Sequence, residues 1–302
     1  MSQTEGIVPL EKDMGLFYRS FGSSSDVVLV PNAHALAEEF QPLSEGRRLM
    51  LPDQRGRGGS TLISDDSLIW TDLEMRDIEA LRSHFGLTNF TLMGWSYMGA
   101  IAALYAEQFS GNTSRLVLIC PIAIRQPAPY DEESSRAREA AEAKIDQGEL
   151  NMFEEMKRNG IEESDPESFC RQHDRVYLPT RMADRKAFEN LKSDPCIYPN
   201  KWPSNLAKHW ERHFPPESLK HDWRQDLSRM QVPTLIIHGS DDVIPLASSV
   251  EWAATLPIAR LLDIQECGHF PFLEAPDVFI PAVERFLAGG WPEEAKKVKE
   301  AS

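Results

Sequence analysis

Three short segments of this 302-residue chain hold residue types that can share one nucleophilic mechanism. Gly94-Trp95-Ser96-Tyr97-Met98-Gly99 follows a β-like run and precedes an Ala-rich one, so Ser96 falls at a sharp strand-to-helix turn. Such a turn needs small flanks, supplied by Gly94 and Gly99, and it lifts the hydroxyl above the sheet beside a helix N-terminus. PTLIIHGSDDVIP (Pro233 to Pro245) puts Asp242 just past a buried strand, and ECGHFPF (Glu266 to Phe272) puts His269 just past another. A serine hydroxyl is a weak nucleophile alone. It becomes competent when a histidine takes its proton during attack on a carbonyl and a carboxylate fixes the histidine tautomer. Strand ends on one edge of a parallel sheet converge, so Ser96, Asp242 and His269 are expected at one rim in the order nucleophile, acid, base. Each residue taken singly has a plainer role, as a turn serine, a helix-capping aspartate or a loop histidine. Asp241 also competes with its neighbour for the part of the acid.

The elements that would carry these residues alternate. Leu16 to Phe21, Asp26 to Val30, Arg48 to Leu51, Asn89 to Met93, Arg115 to Cys120, Thr234 to His238 and Arg260 to Ile264 read as strands. Trp70 to Phe85, Gly99 to Phe109, Leu246 to Leu256 and about Asp277 to Leu287 read as helices. This rhythm predicts an α/β fold with a mostly parallel central sheet and helices on both faces. It breaks between Asp131 and Glu167, where 13 acidic and 5 basic residues sit among helix formers, and between Tyr177 and Trp223, where Pro and aromatic residues accumulate. We read residues 123–225 as a helical cap insertion in a catalytic domain formed by residues 1–122 and 226–302. The last dozen residues, WPEEAKKVKEAS, read as frayed or as a short surface helix.

Composition excludes several classes. A formal charge of -15 repels nucleic acid and anionic lipid. No apolar run spans a bilayer, and MSQTEGIVPLEKD has no signal-peptide character, which makes the cytoplasm the default compartment. Cys120, Cys170, Cys196 and Cys267 lie far apart without a CxxC pair and read as reduced thiols, with Cys267 near enough to His269 to line a site. His34, His173, His209, His213 and His221 show no convincing metal-ligand spacing, so no metal is expected. Gly56 to Gly59 lacks the lysine of a phosphate cradle, so no cofactor is expected either.

Over nearly its whole length the chain resembles the α/β-hydrolase superfamily. Asp53-Gln54-Arg55-Gly56-Arg57-Gly58-Gly59-Ser60 resembles the D-x-R-G-x-G-x-S loop of that superfamily, and Gly268 to Pro276 (GHFPFLEAP) is similar to its histidine loop. Within it, DQRGRGGS and GWSYMGA look nearest to the proline-iminopeptidase and small-esterase branches. The resemblance places the acid at Asp242, the third residue after Gly239, and implies loop-holding roles for Asp53 and Arg55. It also implies an oxyanion hole made by the N–H groups of Tyr97 and Ala33. Two departures stand out: Pro31-Asn32-Ala33-His34 replaces the usual His-Gly, and Met98 replaces a small residue two beyond the nucleophile.

The expected activity is hydrolysis of a small-molecule ester through an acyl-enzyme. A proline-iminopeptidase-like aminopeptidase is the alternative, and a non-hydrolytic binding protein or lyase is the alternative of another class. Serine rather than aspartate at position 96 argues against epoxide hydrolysis and dehalogenation. The acidic cap points to a neutral or cationic substrate. Tyr177, Phe188, Trp202, Trp210, Phe214 and Trp223 could line an apolar pocket, although aromatic residues so spaced more often pack a cap onto its domain.

Overall fold

Short runs rich in Leu, Ile and Val form the strands at the centre of the molecule. The structure, a computed structural model, describes residues 2–10, 13–31, 33, 36–63, 71–197 and 221–298. In chain order the strands are β1 (Gln3–Pro9), β2 (Gly15–Phe21), β3 (Val27–Leu29), β4 (Arg48–Pro52), β5 (Phe90–Trp95), β6 (Thr113–Ile119), β7 (Arg125–Gln126), β8 (His221–Asp222), β9 (Thr234–Gly239) and β10 (Ala259–Ile264). Eight of them make one sheet in the order β1-β2-β4-β3-β5-β6-β9-β10, while β7 and β8 pair separately. Pairing is parallel from β4 to β10 and antiparallel at β1-β2 and β2-β4. The expected α/β class, with its mostly parallel sheet, is what the chain forms.

Both faces of the sheet are covered, which is why its central strands carry continuous apolar runs such as Leu116 to Ile119 and Leu235 to Ile237. In β6, Leu116 and Leu118 face one core with Ile78, Leu81, Ala100 and Trp252 from the helices Thr71–His84, Tyr97–Gln108 and Leu246–Thr255. Val117 and Ile119 face the other core with Phe40, Phe279, Val283 and Phe286, the last three from the helix Pro276–Leu287. All four of these β6 side chains are fully buried. At about 1.5–3 kcal/mol for each such side chain removed from water, the central strands anchor the fold.

β1 was not expected. Its residues are mostly exposed and polar, with only Val8 buried, so no alternation announces it; ladder bonds to β2 hold this edge strand. At the other end, Lys296 exchanges two backbone hydrogen bonds of 2.9 Å with Leu261, and Ala295 is buried. The C-terminal segment is thus pinned to β10 at this point rather than frayed throughout.

Between β6 and β9 the chain leaves the sheet and forms the helices Asp131–Glu142, Gln147–Arg158, Ile161–Ser164 and Pro166–Tyr177. Asp146 caps the second by accepting from the Gly148 and Glu149 N–H groups, and Asp165 caps the fourth through the Ser168 N–H. Phe153, Phe169 and Val176 give the segment a small core of its own. One expectation fails here: Cys170 and Cys196 form a disulfide, their Cα atoms 5.7 Å apart. Separated by 26 residues, they carry no pairing signal in sequence. The fold brings the helix Pro166–Tyr177 against the 194–197 turn, where Arg171 also pairs with Asp194 at 2.6 Å. Among the described residues no helix is long and apolar enough to cross a membrane. His34, Tyr198, Trp202, His209, Trp210, His213 and Phe214 lie outside the described residues.

Candidate active site

The turn between β5 and the helix Tyr97–Gln108 holds Ser96 at φ 56°, ψ -124°, a conformation that costs a non-glycine residue energy. Its neighbours make that turn possible. A Cβ on Gly94 would lie 2.3 Å from the Met98 carbonyl oxygen and 2.7 Å from the Gly99 Cα, so only glycine lets the strand end and the helix start touch. The Ser96 N–H bonds the Ile119 carbonyl at 2.8 Å, tying the turn to β6. Met98 does not disturb the turn: it is buried, and its Sδ lies 3.8 Å from Gln54 Nε2 and 4.0 Å from Arg57 Nη1.

The DQRGRGGS segment braces the helices behind this turn. Arg55 Nε donates to Asp77 at 2.7 Å, and Arg57 Nη2 donates to Glu74 at 2.8 Å. Glu74 also accepts from the Tyr97 hydroxyl. Burial raises the Glu74 pKa, with Arg57 and the Tyr97 hydrogen bond pulling it back. Asp53 accepts from the Gly59 N–H at 2.8 Å, closing its own loop. The loop-holding parts expected for Asp53 and Arg55 agree with these contacts.

His269 and Asp242 meet past the ends of β10 and β9. His269 Nδ1 lies 2.9 Å from both carboxylate oxygens of Asp242, and both side chains are buried. Burial pushes the Asp242 carboxyl up, but His269, His238 and the Ile244 N–H outweigh it and leave the pKa below the usual carboxylate range. A carboxylate held ionised there favours a proton on Nδ1, which leaves Nε2 free to act as acceptor. Asp241 points elsewhere: it is exposed and accepts from the Ser240 hydroxyl at 3.0 Å. Ser96 and His269 line one cavity of about 540 Å³, the two groups facing a common space from different strands.

Several supports went unread in the sequence. Trp95 Nε1 donates to the His269 carbonyl at 2.8 Å, and its ring centroid lies 5.2 Å from that of His269. Glu274 collects three backbone N–H groups: Gly268 at 2.9 Å, Phe270 at 3.0 Å and Ala183 at 2.8 Å. The first two flank His269, and the third belongs to the segment between β6 and β9. From that same segment, the Arg181 carbonyl accepts the His269 N–H at 2.9 Å. The available signal for Glu274 was an acid inside the apolar run FPFLEAP; Arg181 had none.

The oxyanion pair is only partly visible. Tyr97 is buried at the helix start directly after Ser96, and Ala33 is buried, but Asn32 and His34 beside it lie outside the described residues. Of the expected pocket aromatics, Tyr177 lines the cavity. Phe188 packs against one core, while Trp223 packs against the other and stacks on His221 with ring centroids 3.8 Å apart. Two members of the acidic run, Asp131 and Glu142, also line the cavity. Cys120, Asp242 and His269 place ligand atoms within 4.8 Å of one another. Burial and the Asp242 charge push the Cys120 thiol up. Cys267 is fully buried and likewise pushed up by burial, which suits a packing role.

Residues 21–276 match the model of a family described as alpha/beta hydrolase fold. A proline iminopeptidase of Lactobacillus helveticus is 24% identical over 291 residues, covering 90% of this chain and 93% of that protein. A pimeloyl-[acyl-carrier protein] methyl ester esterase of Aromatoleum aromaticum is 39% identical over 69 residues, 22% of this chain and 28% of that one. Among solved structures, the proline iminopeptidase-related protein of Thermus thermophilus superposes with a TM-score of 0.67 at 22% identity, covering 97% of this chain and 99% of that one.

Proposed function

The chain belongs to the α/β-hydrolase family, and from that premise we propose that it is a serine hydrolase cleaving a small-molecule ester through an acyl-enzyme. One observation carries the proposal: a strained Ser96 shares a cavity with His269, whose Nδ1 is held 2.9 Å from the ionised Asp242. Ser96 attacks the carbonyl as neutral His269 accepts its proton, and Asp242 stabilises the imidazolium that forms. The N–H groups of Tyr97 and Ala33 hold the oxyanion, each such donor contributing about 3–4 kcal/mol to the transition state. His269 returns the proton to the leaving alcohol, and water then releases the acid by the same steps. The cap is assigned to residues 123–225 on a catalytic domain of residues 1–122 and 226–302.

A fluorophosphonate probe tests this reading, since it reacts only with an activated serine. The expected result is labelling at Ser96 that Ser96→Ala abolishes without loss of fold. Labelling that persists in that variant moves the nucleophile elsewhere, and none in the native protein favours a binding protein or lyase on this scaffold.

Asp131 and Glu142 at the cavity support a second reading, an aminopeptidase that binds a free α-ammonium as a proline iminopeptidase would. Short p-nitrophenyl esters are expected to outpace proline p-nitroanilide in kcat/KM. An anilide faster by about tenfold, worth about 1.4 kcal/mol, would overturn the ester assignment.

A further inference from the structure

The cavity that holds Ser96 and His269 is also lined by two arginines, Arg138 and Arg181, that make no ion pair among the described residues, and Arg181 is the one joined to His269. Arg47, Arg55, Arg57, Arg125 and Arg171 each sit on a carboxylate. Arg181 does not: among the described residues its guanidinium makes no hydrogen bond and no ion pair, yet it lines the cavity. Arg181 is exposed, and the protein packed around it pushes its pKa down against the pull of Asp242 and Asp174. Its backbone is fixed, because the Arg181 carbonyl accepts the His269 N–H at 2.9 Å and the Arg181 N–H bonds the Leu178 carbonyl at 3.1 Å. Arg181 is therefore joined to the proposed base through its backbone and contributes to the lining of the space a substrate must fill. A guanidinium that makes no ion pair can meet an anion without giving up a partner, and its planar fork fits a carboxylate through two parallel hydrogen bonds.

We propose that Arg181 binds a carboxylate carried by the substrate, so that the ester cleaved belongs to a carboxylate-bearing small molecule, such as the monoester of a dicarboxylic acid. The inference rests on the serine-hydrolase reading and reverses the substrate charge suggested by the acidic cap. Charge balance favours a monoanion over a phosphate. The other charged groups lining the cavity, Arg138, Asp131 and Glu142, sum to a single negative charge before Arg181 is counted. Arg181 brings the lining to neutrality, and a monoanion adds one charge where a dianion adds two. The carboxylate end lies toward the cap, with the scissile carbonyl toward Ser96. A volume of about 540 Å³ accepts a molecule of that size.

The test compares mono-p-nitrophenyl adipate, which keeps a free carboxylate, with p-nitrophenyl methyl adipate, which does not. The native protein should prefer the free acid in kcat/KM by about tenfold or more, as expected for a charge-assisted hydrogen-bonded pair. Arg181→Gln should bring the ratio close to one, and Arg181→Lys should keep part of the preference because the charge remains without the fork. Equal use of both esters by the native protein overturns the inference and leaves the hydrolase intact. If Arg181→Gln slows both esters by the same factor, so that the ratio survives, Arg181 is only a counter-charge to Asp242 and the inference also fails. Should neither ester turn over and Ser96 resist the probe, the hydrolase reading falls, and calorimetry on Ser96→Ala decides the remaining question. Tighter binding of monomethyl adipate than of dimethyl adipate, lost on adding Arg181→Gln, supports the carboxylate site, and equal binding refutes it.

Discussion

Glu274→Gln is a sharp test of how the base is held. In the native protein Glu274 Oε2 accepts the Gly268 and Ala183 N–H groups, and Oε1 accepts the Phe270 N–H. Glutamine keeps one acceptor oxygen. With that oxygen in place of Oε2, the Phe270 N–H faces an amide NH2 instead of a carboxylate, and the two surviving bonds lose their charge. A hydrogen bond to a charged group contributes about 1.5–3 kcal/mol, and we take about 2 kcal/mol in all because Glu274 is only half-buried. At about 2 °C per kcal/mol for a protein of this size, calorimetry should find Tm lower by about 4 °C. The larger effect belongs to turnover, since the loosened residues flank His269 and a displacement of about 1 Å at a catalytic group costs about a hundredfold. Release of p-nitrophenol from a short ester should therefore slow by about ten- to a hundredfold, with slower fluorophosphonate labelling of Ser96 alongside. A Tm within about 1 °C of the native value, with unchanged turnover, would refute the reasoning. A fall in Tm without a fall in turnover would reduce Glu274 to a structural brace.

Two further outcomes are expected. Asp242→Asn should cut kcat by about ten-thousandfold, whereas exposed Asp241→Asn should leave it within about threefold; the reverse order would move the acid. His238 is fully buried, with Nδ1 2.8 Å from the Ser249 hydroxyl and Nε2 without a partner among the described residues, and burial pushes its pKa below the usual value. The unfolded chain binds that proton first, so stability is full above the unfolded pKa and falls as pH drops from about 6.5 toward the folded pKa, by up to about 1.4 kcal/mol per pH unit. His221, depressed in the same direction by burial, adds to the slope. His238→Asn should lessen the loss of stability between about pH 6.5 and 5, measured by urea denaturation, and an unaltered slope would clear His238 of that part.

The sheet was legible because its central strands are buried on two faces and therefore carry continuous apolar runs. β6 and β9 stand out in the sequence within a residue or two of their ends. β1 was not legible, since an edge strand held by ladder bonds needs no apolar pattern. Ser96, Asp242 and His269 were readable because each sits at a strand end with its own local context, and parallel pairing does the rest. What the sequence hid was contact between distant segments. Cys170 meets Cys196, Glu274 reaches Ala183, and Arg181 enters the cavity through packing that leaves no spacing behind. Composition alone does not single out members of the acidic run either: it describes the average face of a helix, whereas Asp131 and Glu142 line the cavity.

The short stretch from Arg181 to Ala183 is joined to the histidine loop from both sides, through the Arg181 carbonyl and the Ala183 N–H. Gly268 fits against it so closely that a Cβ there would lie 2.5 Å from the Arg181 carbonyl oxygen. Insertions in such folds are commonly treated as exchangeable parts, free to vary while the machinery beneath stays the same. In this protein the division of labour is different. The helix Pro166–Tyr177 leads directly into that stretch, and Lys144 from the segment above donates to the Met182 carbonyl at 3.0 Å, so the inserted segment is fastened to the loop that carries the proposed base. Recombination that replaced the whole insertion would have to supply a carbonyl and an amide at those two places or lose the histidine with the graft. New specificity is therefore reached more readily by point substitution within the cavity than by exchange of the segment above it.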